Sequence, residues 1–251
     1  MRTAQKIIAR CRRQPYVGAP KAFDRRLVAL SLSVLALAAL IAPYDEVISR
    51  WATSSTIPAI RLLAAYTDIG KSTFYLIAAL ALMTIISLSD WRRRHISGKA
   101  KFALIYSQAF YVFAAIGLSG ILVNLFKFIF ARARPNLLDQ LGAYDFFGHW
   151  GIGYDFTSFP SGHSQTMGAL AAILALWYPN YRFITLPICL IGAASRVAAG
   201  AHFPSDVIVG FGLGFLFSVY LSRILARRST VFRFFGTKLL PKLQFSGAFR
   251  K

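Results

Sequence analysis

The sequence predicts an all-α fold: a polytopic membrane protein built as a six-transmembrane-helix bundle, with an extracytoplasmic interfacial helical segment and loop. Three observations carry this expectation. The 251 residues are 56% hydrophobic and only 15% charged, with a mean hydropathy of +0.53, beyond what soluble domains of this length show. The apolar residues gather into six runs separated by polar or basic connections. Basic residues segregate onto alternate connections, as they do when helices cross a bilayer up and down.

The first run, Leu27–Ala42, follows a basic stretch, as a signal sequence would; "ALA" at 36–38 lies inside the run rather than after it, so a retained span is expected. The stretch "DEVISRWATSSTIPAIRLLAAYTDIGKS" that follows is too polar to cross and reads as helix along the membrane interface, with Trp51, Ile57, Ile60 and Leu63 toward lipid. Ser72–Leu88 and Phe102–Phe126 are the second and third spans. The connection "NLLDQLGAYDFFGHWGIGYDFTSF" is rich in glycine and aromatics without periodicity, which predicts a folded surface loop anchored by Phe146, Phe147, Trp150 and Tyr154. Gln165–Tyr178, Phe183–Gly200 and Val207–Leu225 complete the set. Several runs are shorter than the ~20 residues a crossing needs, and the fourth must borrow length from its flanks.

The formal net charge of +20 would suggest nucleic acid or an anionic surface as partner. Its distribution decides between them. Six spans put both termini on one side, which holds 22 Lys and Arg against Asp24 and Asp90. The opposite side carries seven cations (Arg50, Arg61, Lys71, Lys127, Arg132, Arg134, Arg196) and seven carboxylates (Asp45, Glu46, Asp68, Asp139, Asp145, Asp155, Asp206). The whole net charge thus lies on the termini side, expected to be cytoplasmic, and no nucleic-acid partner is implied. The basic arms read as topology signals that touch anionic lipid. The two cysteines form no metal or redox pattern: Cys11 is in the basic arm and Cys189 is expected to be a small core hydrophobe.

Within this topology the ends of spans three and five and the starts of spans four and six share one face. Every unusual polar residue arrives there. "KFIFARARP" supplies Lys127 and Arg134, "PSGH" supplies Ser161, Gly162 and His163, and "SRVAAGAHFPSD" supplies Ser195, Arg196, His202 and Asp206. Phosphoryl transfer calls for positive charge and amide donors around three oxygens, with a nucleophile and an acid in line. Lys127, Arg134 and Arg196 meet the first need, arginine's fork suiting two oxygens at once. The backbone N–H groups of Ser161 and Gly162 stand at a helix start, where anions bind. Asp206 at i+4 would hold His202 in one tautomer with its other nitrogen free to attack, and His163 would protonate the leaving oxygen. Arg132 lies outside this pattern and is expected to face lipid headgroups as readily as the site. His95 and His149 have no such company.

K-x6-R-P, P-S-G-H and S-R-x5-H-x3-D, in this order, resemble the tripartite signature of the type 2 phosphatidic acid phosphatase superfamily, which also includes vanadium haloperoxidases. "TDIGKS", before the second span, is also similar to members of the group. The resemblance covers roughly residues 69–225. It implies a metal-independent, cofactor-free phosphatase working through a phosphohistidine on His202, oriented by Asp206, with His163 as acid. Lys127, Arg134, Ser161, Gly162 and Arg196 would hold the phosphate. The expected organisation is a basic cytoplasmic arm (1–26), a six-span phosphatase domain (27–225) and a basic cytoplasmic tail (226–251), in a bacterial inner membrane with the site on the periplasmic face. The implied substrate is a phosphorylated lipid: lipid A, undecaprenyl diphosphate, phosphatidylglycerol phosphate or phosphatidic acid. A lipid phosphotransferase and a non-catalytic phospholipid-binding or transport protein are the alternatives. A haloperoxidase fits less well with six spans, and no obligate protein partner is readable.

Overall fold

The computed structural model describes residues 14–89, 96–148, 150, 153–234 and 239–243. Cys11, His95 and His149 lie outside them, as do most of the basic N-terminal arm and the basic stretch 90–95. The described chain is helical almost throughout. Helix α1 (Arg25–Ile41) is followed by the shorter α2 (Asp45–Ser54) and α3 (Pro58–Ala65) and a 3-10 turn at Thr67–Gly70. Then come α4 (Ser72–Leu88), α5 (Ile96–Phe130), a single turn α6 (Leu138–Leu141), α7 (Gly162–Trp177), α8 (Arg182–Ala198) and α9 (Pro204–Arg227). Two-residue strands β1 (Phe232–Arg233) and β2 (Lys242–Leu243) pair antiparallel after the last helix.

Four helical stretches among the described residues are long and apolar enough to cross a membrane: Arg25–Ser54, Lys101–Leu141, Pro179–Ala198 and Pro204–Arg227. Helix α4 is apolar but has 17 residues. Helix α7 has 16, which at 1.5 Å per residue is about 24 Å, short of a ~30 Å hydrocarbon core. The sixfold expectation thus stands on four clear spans and two short helices. The fourth run does borrow length, since its helix begins at Gly162 in the motif itself. Eleven of the 16 residues of α7 are buried by protein, so its short length meets mostly other helices rather than lipid. By contrast α1, α4 and α8 leave Leu32, Leu40, Phe74, Ile85, Phe183 and Ile188 exposed, a surface that only an apolar solvent tolerates.

The interfacial segment is helical as expected but broken at Ser55–Ile57, where Pro58 opens α3. Its apolar face is only partly the expected one: Trp51 and Ile57 are exposed, whereas Ile60 and Leu63 are half-buried in a segment that packs on α8.

Between helices in lipid, close contact and internal hydrogen bonds replace the hydrophobic driving force. The α7–α9 crossing is built that way. A Cβ at Gly168 would stand 1.9 Å from the Phe211 carbonyl oxygen, one at Gly214 1.9 Å from that of Gln165, and one at Gly210 2.3 Å from that of Ser161. Only glycine lets these backbones meet. Polar side chains then tie α7 to its neighbours: Gln165 Nε2 donates to Ser119 Oγ of α5 at 2.6 Å, and Ser164 Oγ to the Ala193 carbonyl of α8 at 3.3 Å. The buried Cys189 is a core side chain, as expected. At the far end, buried Arg223 of α9 donates to the carbonyls of Lys21, Ala22 and Leu239 and pairs with Asp24 at 2.5 Å, anchoring the segment before α1.

Gly168→Ala should destabilise the protein by ~1–3 kcal/mol through overpacking against Phe211. Gly117→Ala, whose added Cβ meets only Leu76 at 3.7 Å, should leave the thermal midpoint of the detergent-solubilised protein unchanged.

Candidate active site

The site begins where α5 stops. Ala131 turns the chain with φ +42°, a left-handed conformation that costs a β-carbon-bearing residue about 1 kcal/mol. The turn sends Arg132 and Arg134 back into the protein, where they are 1% and 4% exposed. Arg132 does not reach lipid headgroups. This corrects the sequence expectation, and the reason is a full set of acceptors. Nη1 donates to Asp206 Oδ1 at 2.5 Å and Ser205 Oγ at 2.9 Å, and Nη2 to Asp45 Oδ2 at 2.8 Å and the Ala143 carbonyl at 2.6 Å. Nε donates to that carbonyl at 3.2 Å, so all five N–H groups are satisfied. The Phe203 ring lies under the guanidinium at 4.2 Å.

Asp206 is fully buried on the first turn of α9, and four groups surround it. Besides Arg132, Ser158 Oγ donates to Oδ2 at 2.6 Å and the Phe203 N–H at 2.9 Å. His202 Nδ1 is 3.8 Å from the same oxygen. The closer partner of Nδ1 is the Ser158 carbonyl oxygen at 2.8 Å, an acceptor only, so Nδ1 carries the proton. The tautomer is therefore set by a backbone carbonyl whose own side chain is bound to Asp206. Asp206 acts through Ser158 as well as through its charge. Nε2 is left with its lone pair, 3.5 Å from Arg134 Nη1. His202 is 2% exposed, and burial pushes its pKa down to about 4, against the opposing pull of Asp206.

Arg134 is held by the carbonyls of Tyr154 at 3.0 Å and Ala201 at 2.9 Å, with the Tyr154 ring 3.8 Å below its guanidinium. Arg196, on the last turn of α8, donates from Nη1 to Thr67 Oγ1 at 2.8 Å, while its buried Nε has no partner among the described residues. Ser195 does not face the cations: its hydroxyl donates to the Gly192 carbonyl at 2.7 Å and to Thr67 Oγ1 at 3.1 Å. Lys127 completes the trio from the last turn of α5. These three cations lie close enough to repel one another, and the field of Lys127 reaches both His163 and His202. None of the three forms an ion pair among the described residues. Positive charge gathered without a paired carboxylate favours an anion beside it.

The start of α7 supplies the amides. Ser161 caps the helix, its buried hydroxyl accepting from Ser164 Oγ at 2.9 Å. Its N–H is already engaged by the Asp206 carbonyl at 3.1 Å, which corrects the expectation that this amide holds the phosphate. Among the described residues the N–H groups of Gly162 and His163 have no partner, and they stand at the positive end of the helix. A Cβ on Gly162 would meet nothing nearer than Val123 at 4.0 Å, so a ligand has room. His163 Nε2 is buried with no hydrogen-bond partner among the described residues.

All eight expected site residues lie inside the stretch where the family comparison matches: residues 108–230 fit the PAP2 superfamily. The chain carries a PAP2 superfamily domain. Among curated proteins, this chain is similar to the lipid A 1-phosphatase of Rhizobium etli, 37% identical over 144 residues, 55% of this chain and 62% of that one. The lipid A 1-phosphatase of Rhizobium johnstonii is 40% identical over 123 residues, 49% of this chain and 50% of that one. The match thus spans less than two thirds of either relative's length. A crystal structure of a transmembrane PAP2 type phosphatidylglycerolphosphate phosphatase from Bacillus subtilis superposes with a TM-score of 0.49 at 25% identity, covering 76% of this chain and 91% of that one.

Around the eight residues of the PAP2 domain stand Arg132, Asp45, Ser158, Tyr154 and Thr67, which the motif spacing does not single out. The alternation in "ARAR" is a signal for Arg132, since a second arginine beside a motif arginine needs its own acceptor. Asp45 is 87 positions from its partner and has no local signal at all.

Arg132→Met should leave Asp45 and Asp206 buried without their shared cation and cost about 3–5 kcal/mol of stability, seen in thermal unfolding. Arg132→Lys, with three donors for these acceptors, should fall between Met and wild type. In the substrate-free protein the His202 imidazole should titrate near 4, read by NMR of histidine-labelled protein and assigned with His202→Gln. The unfolded chain binds this proton more readily than the folded one, so the contribution of His202 to stability is lost as pH falls from 6.5 toward 4.

Proposed function

We propose that this protein is a membrane lipid phosphatase that removes a terminal phosphate through a phosphohistidine on His202. One observation carries the reading. A buried, neutral imidazole with its Nδ1 proton held by the Ser158 carbonyl offers Nε2 to the place where Lys127, Arg134, Arg196 and the α7 amides converge.

In the first half-reaction Nε2 attacks phosphorus, the bond from phosphorus to the lipid oxygen breaks, and His163 gives its proton to that oxygen. The bound phosphate dianion favours the protonated form of His163 before the step. Nδ1 keeps its proton, so the phosphorylated imidazole is cationic and Asp206 stabilises it. In the second half-reaction His163, now neutral, takes a proton from water, the oxygen attacks phosphorus, and the phosphorus–nitrogen bond breaks to release inorganic phosphate. The three cations and the helix amides supply the charge stabilisation that divalent metals give in other phosphoryl-transfer sites.

We place the site on the extracytoplasmic face of a bacterial cytoplasmic membrane with both termini inside, because the net positive charge lies on the termini side. The substrate to test first is the 1-phosphate of lipid A, the activity named for both curated relatives. A headgroup at the ends of the helices with its chains in lipid suits this site.

Brief incubation of the purified protein with lipid labelled at phosphorus, followed by quenching in base, should trap an adduct on His202, and His202→Ala should abolish both adduct and turnover. A fully active His202→Ala protein would end the proposal. His163→Gln should slow hydrolysis of the lipid by 10²–10⁴-fold and that of an aryl phosphate far less, since a good leaving group needs no acid. Chelators should leave the rate unchanged. Inorganic phosphate released from one purified lipid identifies water, rather than a lipid hydroxyl, as acceptor.

A further inference from the structure

In an in-line displacement the acid stands on the leaving-group side of phosphorus and the nucleophile on the other. The two sides are lined differently in this protein. Tyr154 and Thr157, which hold Arg134 beside His202, line a cavity of about 500 Å³ that also touches Lys127. His163 lines a second cavity, about 190 Å³, that shares Lys127 and Asn124 but contains no residue from the nucleophile side. The group that His163 protonates has this second cavity beside it.

The lining of that cavity is polar. Lys71, Ser72 and Thr73, from the start of α4, face Asn124 and Lys127 of α5, with Gly162 and His163 between them. Its position relative to the acid is fixed by contact: a Cβ at Gly70 would come within 2.9 Å of His163 Cβ, so the Thr67–Gly70 turn lies against that residue. The same turn holds Arg196 through Thr67. A diacylglycerol leaving group would bring two esters and their chains here. At about 190 Å³ this cavity is the smaller of the two, on the scale of a sugar ring.

The charge of the cavity narrows the choice further. Lys71 Nζ sits 2.6 Å from Asp68 Oδ2, so an ammonium donor and a carboxylate acceptor stand side by side. Such a pair matches hydroxyl and amide groups, which both donate and accept. A second phosphate would instead compete with the Asp68 carboxylate for the Lys71 ammonium.

We infer that the cavity lined by Lys71, Thr73, Asn124 and His163 is a leaving-group subsite for a sugar ring, and that Lys71 selects glycosyl phosphates over diphosphates and over diacylglycerol phosphates. The inference rests on the phosphatase reading and adds where the leaving group sits and which side chain reads it. Lys71 belongs to the "TDIGKS" stretch, whose Thr67 holds Arg196 but whose lysine the phosphate chemistry does not use.

Two measurements on the full-length purified protein test it. In the first, kcat/KM is compared for lipid A, undecaprenyl diphosphate and phosphatidic acid. Lys71→Ala should lower the value for lipid A by about tenfold or more and leave the other two within about twofold. An equal loss on all three would make Lys71 a phosphate ligand and overturn the inference, as would no loss on lipid A. In the second, which needs no turnover, the thermal midpoint is recorded with glucosamine 1-phosphate and with inorganic phosphate. The sugar phosphate should raise it more in the wild type, and Lys71→Ala should erase the difference while keeping the shift caused by phosphate. Equal shifts in the wild type would remove the subsite. A protein that turns over none of the lipids yet shows the sugar-dependent shift would refute the phosphatase reading and leave the subsite standing.

Discussion

Arg132 is the residue around which the site is assembled. A guanidinium buried to this depth must find an acceptor for every N–H and a counter-charge close by. It finds Asp206 on α9, Asp45 on α2 and the Ala143 carbonyl in the loop after α6. One cation thereby fixes the start of the last long helix, the first turn of the segment after α1 and the long connection. Ser205 closes the ring, its N–H donating to Asp45 Oδ1 at 2.9 Å and its hydroxyl to Asp45 Oδ2. Because Asp206 also receives the hydroxyl of Ser158, and the carbonyl of Ser158 receives His202, the orientation of the His202 imidazole is three hydrogen bonds removed from this cation. Arg132, Asp45 and Asp206 are satisfied as a group, and none of the three is free to serve a ligand.

The neighbouring cations are arranged in the opposite way. Lys127, Arg134 and Arg196 have no carboxylate partners among the described residues, and the amides of Gly162 and His163 have no carbonyls. Holding three like charges together opposes folding and is sustained by hydrogen bonds to neutral acceptors: the Tyr154 and Ala201 carbonyls for Arg134, the Thr67 hydroxyl for Arg196. Saturated and unsaturated charges are thus separated by a few ångströms. The saturated set gives geometry, and the unsaturated set keeps charge to offer an anion.

The scaffold must keep both sets in place without much hydrophobic drive between helices. Glycine contacts between α7 and α9 bring the cap residue Ser161 against the backbone of α9, where its N–H reaches the Asp206 carbonyl. That contact joins two of the three motifs directly. The third arrives through the left-handed turn at Ala131, which redirects the chain after α5. Burial of α7 by the other helices makes its shortness harmless, since its sides meet protein instead of lipid.

Apolar runs, charge segregation and motif spacing by themselves determined that the chain is helical and membrane-grade, and which residue types could gather for phosphoryl transfer. These are readable because hydrophobicity and reactive side chains are local properties of a residue. The sequence reading was weaker for residues whose role depends on distant partners. Whether Arg132 met lipid or protein was decided by Asp45 and Asp206, 87 and 74 positions away. Whether the Ser161 amide was free for an anion was decided by a carbonyl on α9, and whether His202 leaned on Asp206 or on the Ser158 backbone by a difference of 1.0 Å between two contacts of 2.8 and 3.8 Å. Only the packing of α2, α7 and α9 fixes such distances, because a hydrogen bond is lost over an ångström that no periodicity or spacing can specify.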